Sequence, residues 1–321
     1  MSLMLNFALI GAAGYIAPRH MKAISETGNN LVAALDKNDS VGIIDRYFPQ
    51  ADFFTEFERF DRHIDLRRRE GNQVNYVSIA SPNYLHDSHI RFALRSGADA
   101  ICEKPLVLNP KNIDALATIE KDTGKKVNTI LQLRLHPSLI ELKRKVAAEL
   151  QATPEKVFDV DLTYLTSRGN WYFRSWKGET AKSGGIASNI GVHFFDMLAW
   201  IFGEVNESLV HVNQADTASG FLFLKHARVR WFLSVNYDYI PDAVKATGQR
   251  TYRSITVENE EVEFSDGFTD LHTESYRQII DGAGFGLEEA RNSINIVADI
   301  RTRENTSNTS LTHPFVDAMN G

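Results

Sequence analysis

This 321-residue chain is predicted to fold as two α/β domains of different construction: an N-terminal doubly wound parallel sheet, then a C-terminal α+β domain with a large, mostly antiparallel sheet. Three observations predict this. The first 125 or so residues alternate short apolar runs with amphipathic stretches, whereas segments beyond residue 155 are long and alternate apolar with polar. The length also fits two domains at roughly 100 to 200 residues each. The boundary is placed at 130, giving domains 1–130 and 131–321.

In the first half, NFALIGAAG (6–14) reads as a buried strand running into a Gly-rich turn, followed by a helix from Pro18 to Glu26 that closes near Gly28. LVAALD (31–36), VNYVSIAS (74–81) and ADAICEK (98–104) are three more strands, and HDSHIRFALRSG is the helix before the last, ended by Gly97. Strands that are apolar throughout and alternate with helices form a parallel sheet covered on both faces, the dinucleotide-binding arrangement. In the second half, KVFDVDLTYLT (156–166) and four alternating segments within 208–259 are consecutive strands, with helices expected at 136–150, 189–202 and 287–304. The polar stretch ENTSNTS reads as a surface connection. Phe221, Phe223, Trp231 and Leu233 are read as one apolar face left for a partner copy.

Composition narrows the class. With 43% apolar residues, 20 Gly and 9 Pro, the chain is neither collagen-like nor disordered, and the single Cys102 excludes an internal disulfide framework. The net charge of -6 and a pI near 5.9 argue against nucleic-acid or anionic-membrane binding. No apolar run reaches the roughly 18 residues of a membrane span, and the N-terminus lacks a basic start and small-residue cleavage site. A cytoplasmic enzyme or binding protein is the expectation.

Several segments could carry chemistry. The turn Gly11-Ala12-Ala13-Gly14-Tyr15-Ile16-Ala17 lies where a pyrophosphate would rest on a helix N-terminus, although Ala13 and Ile16 stand where G-x-G-x-x-G has glycines. Asp36, at the end of the second strand, would accept the adenosine ribose hydroxyls and repel a 2′-phosphate, favouring NAD over NADP; Lys37 beside it is a cation that could tolerate that phosphate. Ser81-Pro82-Asn83 with His86, and Glu103-Lys104-Pro105, end strands on the same sheet edge, so Asn83, His86, Glu103 and Lys104 are placed to face a cofactor. Lys104 could move a proton or polarise a hydroxyl, or be an ordinary surface lysine. Asn189, His193 and Asp196 share one face of the helix expected at 189–202, making His193 either a general base or a satisfied core histidine. A metal site is not expected, since neither HExxH nor CxxC occurs. The stretch 167–178 interleaves Arg168, Arg174 and Lys177 with Trp171, Tyr172, Phe173 and Trp176, fitting an anionic, ring-bearing ligand, a rigid lid or an interface.

Together, the turn 11–17, Ser81-Pro82-Asn83 with His86, Glu103-Lys104-Pro105 and Asn189-x-Gly-x-His193-x-x-Asp196 resemble the Gfo/Idh/MocA oxidoreductases. The resemblance implies an N-terminal Rossmann domain, an open-faced C-terminal sheet used for oligomerisation, most simply a homotetramer, and NAD as cofactor. It adds Ser81 and Gln132 to the cofactor contacts and Ser188 to the substrate contacts. SPNYLHDSHIRFALRSGADAICEKPLVLNP, RGNWYFRSWKGE and NIGVHFFDMLAWIFG resemble the members that oxidise the 3′-hydroxyl of UDP-N-acetylglucosaminuronate in O-antigen biosynthesis, with Lys104 and His193 catalytic. Lys104, Arg168, Asn170, Trp171, Tyr172, Lys177, Asn189 and His193 would then hold the substrate. The family often has Asp at the position of Asn189, which is therefore cast as a hydrogen-bonding orienter. Rival readings are another sugar oxidoreductase, an NAD-dependent glycosidase of the same family, or a non-catalytic NAD-binding regulator. A cis Lys104-Pro105 peptide is expected from the same resemblance.

Overall fold

The computed structural model describes residues 4–262, 270–307 and 309–319. Two compact units emerge, Met1–Gln132 with Thr269–Arg291 and Leu133–Phe268 with Asn292–Gly321. A segment from the C-terminal third thus belongs to the first unit.

In that unit β1 (Asn6–Ile10), β2 (Asn30–Leu35), β3 (Asp52–Phe54), β4 (Tyr76–Ile79), β5 (Asp99–Cys102) and β6 (Val127–Thr129) form one parallel sheet in the order β3-β2-β1-β4-β5-β6. The order reverses beside β1, the crevice where doubly wound sheets bind ligands. The four strands expected from apolar runs are β1, β2, β4 and β5; β3 and β6, of three residues each, carry too short a pattern to announce themselves. Phe7, Leu9, Met21, Ile24 and Leu31 bury one side of the sheet, and the helix Leu271–Ile280 adds Tyr276 and Ile279 to the same core.

The second unit carries β7 (Phe158–Thr166), β8 (Val205–Asn213), β9 (Thr217–Leu224), β10 (Ala227–Ser234), β11 (Thr251–Val257) and β12 (Glu260–Glu261), ordered β12-β11-β7-β10-β9-β8. β8, β9 and β10 form the expected meander, but β7 enters between β11 and β10 and pairs parallel with β10. A parallel pair needs a long crossover, which the helical stretch between β7 and β8 begins. The expected helices are present as Pro137–Ala152, Val192–Phe202 and Leu287–Thr302. Among the described residues, one helical run, Thr180–Phe202, is long and apolar enough to cross a membrane, and 78% of its most apolar 18-residue stretch is buried within the protein.

The single apolar face expected of Phe221, Phe223, Trp231 and Leu233 is not formed. Pairing sets Arg230 opposite Phe221 and Arg228 opposite Phe223, so these phenylalanines lie on the face opposite to Trp231 and Leu233. Phe221, Trp231 and Leu233 are buried within the chain, and only Phe223 is half-exposed. Trp231 packs edge-on against Phe195 at 5.2 Å.

Two predictions follow from this packing. Trp231→Ala should cost about 3–5 kcal/mol in urea unfolding; Trp231→Phe should cost much less, because the indole N–H has no hydrogen-bond partner among the described residues. The second concerns the buried imidazoles of His89 and His313, each pushed down from 6.5 to about 4, chiefly by burial. The unfolded chain gains a proton on each near pH 6.5 and the folded chain only near 4, so folding stability should fall as pH drops through that window and stay level above it. Melting temperature against pH measures this, and His89→Asn should flatten the slope.

Candidate active site

The β1 turn is shaped by its contact with β4. Gly11 has φ +92°, and a Cβ there would lie 2.6 Å from the Ala80 carbonyl carbon. Glycine is required both for the left-handed conformation and for the close approach. The Gly11 N–H donates to Leu35 O at 2.8 Å, and the Ala13 N–H donates to Asp36 Oδ2 at 3.0 Å. The acid after β2 therefore grips the turn it was expected to accompany. Its Oδ1 accepts from the Asn38 N–H at 2.9 Å and from Asn38 Nδ2 at 3.3 Å, so of the carboxylate's roughly four acceptor positions one remains. Tyr15 is 93% exposed on the rim, and Ile16 precedes the helix Ala17–Glu26, whose first turn holds Pro18.

The edges after β4 and β5 are locked from beneath. His86, expected to face a cofactor, is 1% exposed: its Nδ1 lies 2.7 Å from Pro105 O and its Nε2 2.8 Å from Ser81 O. Each nitrogen faces a carbonyl of its own domain, and a neutral imidazole, with one N–H, donates to one of them, so His86 is held between the two loops. Burial lowers its pKa despite those hydrogen bonds. Ser81 also pairs through Oγ with His89 Nδ1 at 2.9 Å, and Ser81 and Asn83 are buried.

Glu103 also turns inward, at 8% exposure. Its Oε1 lies 3.2 Å from His20 Nε2 and 2.8 Å from His272 Nε2, and its Oε2 accepts weakly from the Lys104 N–H at 3.3 Å. Burial pushes the carboxyl pKa up, but hydrogen bonds from the two imidazoles outweigh it and hold the group well below the ordinary range. His20 Nδ1 meets the Tyr276 hydroxyl at 2.7 Å, which meets Ser78 Oγ at 2.6 Å. Lys104 is half-buried, and the Lys104-Pro105 peptide is cis, as expected. His20, His272 and Tyr276 were not singled out from the sequence. A 169-residue separation between Glu103 and His272 leaves no local signal.

In the second unit, a π-helical turn at Ala187–Gly191 precedes the α-helix Val192–Phe202. Asn189 thus stands within the π turn, and His193 and Asp196 on the α-helix that follows it. Asn189 Nδ2 donates to the Tyr172 hydroxyl at 2.7 Å, so it orients the aromatic loop. Tyr172, at 1% exposure, and Ser188, at 0%, both expected to meet a substrate, are buried. His193 is half-buried, its ring 4.5 Å from that of Phe194 and 6.2 Å from that of Tyr164. Asp196 forms a buried two-pronged pair with Arg134, at 2.7 and 2.9 Å. Burial raises the Asp196 pKa against the pull of the guanidinium.

The loop after β7 leaves Trp171 at 55% and Phe173 at 42% exposure, with Arg168 half-buried and Asn170 exposed. Lys177 sits 3.9 Å above the Trp176 ring. Beside this loop a cavity of about 250 Å³ is lined by Lys177, Ser183, Gly184, Asn213 and Arg301, among others. Arg301 is a second cation that no sequence motif marked.

The fold and the β1 turn define a two-unit protein whose N-terminal unit is of the dinucleotide-binding type. Residues 5–130 match the family model described as an oxidoreductase family, NAD-binding Rossmann fold, and residues 155–250 match the model of its C-terminal alpha/beta domain. A WlbA (WbpB) dehydrogenase from Thermus thermophilus, solved in complex with NAD and UDP-GlcNAcA, is 51% identical, with a TM-score of 0.93 over 97% of this chain and 100% of that one. The WlbA dehydrogenase from Bordetella pertussis, at 18% identity and a TM-score of 0.74 over 94% of this chain and 95% of that one, shares the fold. A protein of Amycolatopsis mediterranei named as a UDP-kanosamine synthase oxidoreductase subunit is 29% identical over 153 residues, covering 47% of this chain and 40% of that protein, so the match spans less than half of that curated relative. The chain belongs to the Gfo/Idh/MocA oxidoreductase family.

The Arg134–Asp196 pair generates a stability prediction. Arg134→Leu, which strands a buried carboxylate, should cost about 3–5 kcal/mol in chemical denaturation. Removing both partners as Arg134→Leu with Asp196→Leu should recover much of the loss.

Proposed function

We propose that this chain is an NAD-dependent dehydrogenase that oxidises the 3′-hydroxyl of UDP-N-acetylglucosaminuronate to a 3-keto sugar. The observation that carries this reading is the 51% identity, over nearly the whole chain, to a dehydrogenase solved with NAD and UDP-GlcNAcA. The first unit would be the cofactor domain and the second the substrate and oligomerisation domain.

The residues present fit the dinucleotide. Gly11 clears the floor of the turn, Asp36 keeps acceptor capacity, and Gln132 Oε1 is a buried amide oxygen without a partner among the described residues, the kind of group a polar ligand satisfies. The backbone around Ala13 and Gly14 would carry the pyrophosphate, and Asp36 the ribose diol, with Tyr15, Ile16, Ser81 and Asn83 completing the rim. When bound, NAD supplies the hydride acceptor. As the C3′–H bond breaks with its electron pair, the hydroxyl loses its proton and the C=O bond forms; Lys104 and His193 are the groups assigned to that proton. Arg168, Asn170, Trp171 and Lys177 would meet the diphosphate, uracil and carboxylate of the sugar nucleotide, with Arg301 an added cation beside them.

Three finer readings belong with this proposal: a cytoplasmic enzyme, a place in O-antigen sugar biosynthesis, and a homotetramer. The T. thermophilus protein has also been solved with NAD and alpha-ketoglutarate, which supports a tightly held NAD reoxidised by a 2-oxo acid.

Incubating the protein with UDP-N-acetylglucosaminuronate, NAD and 2-oxoglutarate and analysing products by mass spectrometry tests the reading. A 3-keto sugar nucleotide supports it; sugar release would indicate a glycosidase, and binding without turnover a regulator. His193→Asn and Lys104→Ala should each lower kcat by about 10² to 10⁴-fold. Asp36→Ala should weaken NAD binding and narrow the preference over NADP, read by fluorescence titration of both cofactors. Sedimentation at micromolar concentration checks the tetramer, and a monomer would count against it.

A further inference from the structure

Glu103 is a carboxylate committed almost wholly to its own protein. One oxygen faces two imidazoles, at 3.2 and 2.8 Å, and the other lies 3.3 Å from the backbone N–H of Lys104. An ionised carboxylate only accepts, so His20 and His272 both present Nε2–H to it. His20 Nδ1 is then left to accept from the Tyr276 hydroxyl, and Tyr276 from Ser78, so each contact from Ser78 to Glu103 has a donor and an acceptor. On the far side of Lys104, the carbonyl of Pro105 is 2.7 Å from His86 Nδ1. Residues 103 and 105 are thus each anchored to buried imidazoles, and the half-buried side chain of Lys104 stands between them.

Two members of this arrangement come from far along the chain. His272 and Tyr276, one helical turn apart, lie on the helix Leu271–Ile280, which packs against Ala17–Glu26 within the first unit. That packing is tied down by Thr273 Oγ1 donating to Glu26 at 2.7 Å and by Lys22 donating to Asp270 at 2.9 Å, while the His20 and His272 rings meet edge-on at 5.3 Å.

We infer that His20, His272 and Tyr276 are positioning residues for Lys104: the returning helix clamps the Glu103 carboxylate and, through it, the backbone on which the lysine stands. This inference rests on the proposed role of Lys104 in handling the hydroxyl proton. A displacement of about 1 Å at a reacting group can cost on the order of 10²-fold in rate, so loosening the clamp is felt in turnover before it is felt in binding. The same three groups, His20, Glu103 and His272, bring their ligand atoms within 4.8 Å of one another, close enough to hold a metal ion. The continuous donor and acceptor pairing accounts for the cluster without one.

The experiment compares full-length, NAD-loaded wild type with His272→Ala, His272→Gln, Tyr276→Phe, Lys104→Ala and the double variant His272→Ala with Lys104→Ala. The proposed reaction stands or falls on the wild type, which either makes the 3-keto product or does not; the clamp is judged by the variants relative to it. His272→Ala is expected to lower kcat about 10- to 100-fold with KM for the UDP-sugar within about 3-fold. His272→Gln, which returns an N–H donor to Glu103, should recover most of that loss, and Tyr276→Phe should show a smaller fall in kcat. Because the clamp acts through Lys104, the double variant should be no slower than Lys104→Ala alone. Multiplying losses in the double variant, or an unchanged kcat in His272→Ala, would overturn the inference. So would one equivalent of zinc per chain in the purified wild type that His272→Ala loses. Should His272→Ala not fold, Tyr276→Phe, made both alone and in the Lys104→Ala background, carries the same comparison.

Discussion

An ionised carboxylate buried at the edge of an apolar sheet is the constraint around which the first unit is arranged. Taking such a group out of water costs several kcal/mol unless hydrogen bonds replace the lost hydration. Glu103 stands next to β5, and the side chains that bond its carboxylate come from outside the sheet. One is His20, on the first helix; the other is His272, delivered by the segment that returns to this unit after the second sheet has been built. The Glu103 carboxylate is thus buried with help from a segment far along the chain, the helix Leu271–Ile280, that packs within the first unit.

The same economy recurs at other strand ends. Asp36 accepts from the turn it borders, and His86 bridges two loop carbonyls. Asp196 is sealed against Arg134 beneath the helix that carries His193. In each case a polar side chain holds backbone or a helix in place, leaving neighbouring residues half-exposed: Lys104 beside Glu103, and His193 one turn from Asp196. Residues that resemble a reactive constellation in one dimension thus separate into groups that hold and groups that are available. Reactive side chains keep their geometry when their supports are locked by packing and hydrogen bonds.

Much of this was legible in the sequence. Glycines at a strand-to-helix turn, an acid at the end of the next strand, and a Glu-Lys-Pro at another strand end are local patterns whose spacing encodes their place on one sheet edge. The long strands of the second unit were legible for the same reason, since alternation is a property of consecutive residues. What could not be read was any feature carried by pairing between distant segments. β7 enters beside β10, Phe221 and Trp231 fall on opposite faces, and Tyr172 is buried with Asn189 on its hydroxyl. The π-turn at Ala187–Gly191 was also hidden: a continuous helical period fits the same letters, and the close fit of Gly191 against Leu233 and Phe195 is visible only once the sheet is folded.

By itself, then, the sequence determined the class of each half, the turn of glycines with its acid, and the family, because these reside in local periodicity and spacing. Tertiary structure alone decided which of these residues stay accessible and which lie beneath the surface: His86, Glu103, Tyr172 and Ser188 turned inward, while Lys104 and His193 stayed half-exposed. The physical reason is that burial and hydrogen-bond satisfaction are set by neighbours far away in the chain. A carboxylate at 103 acquires its meaning only when a histidine at 272 folds back against it.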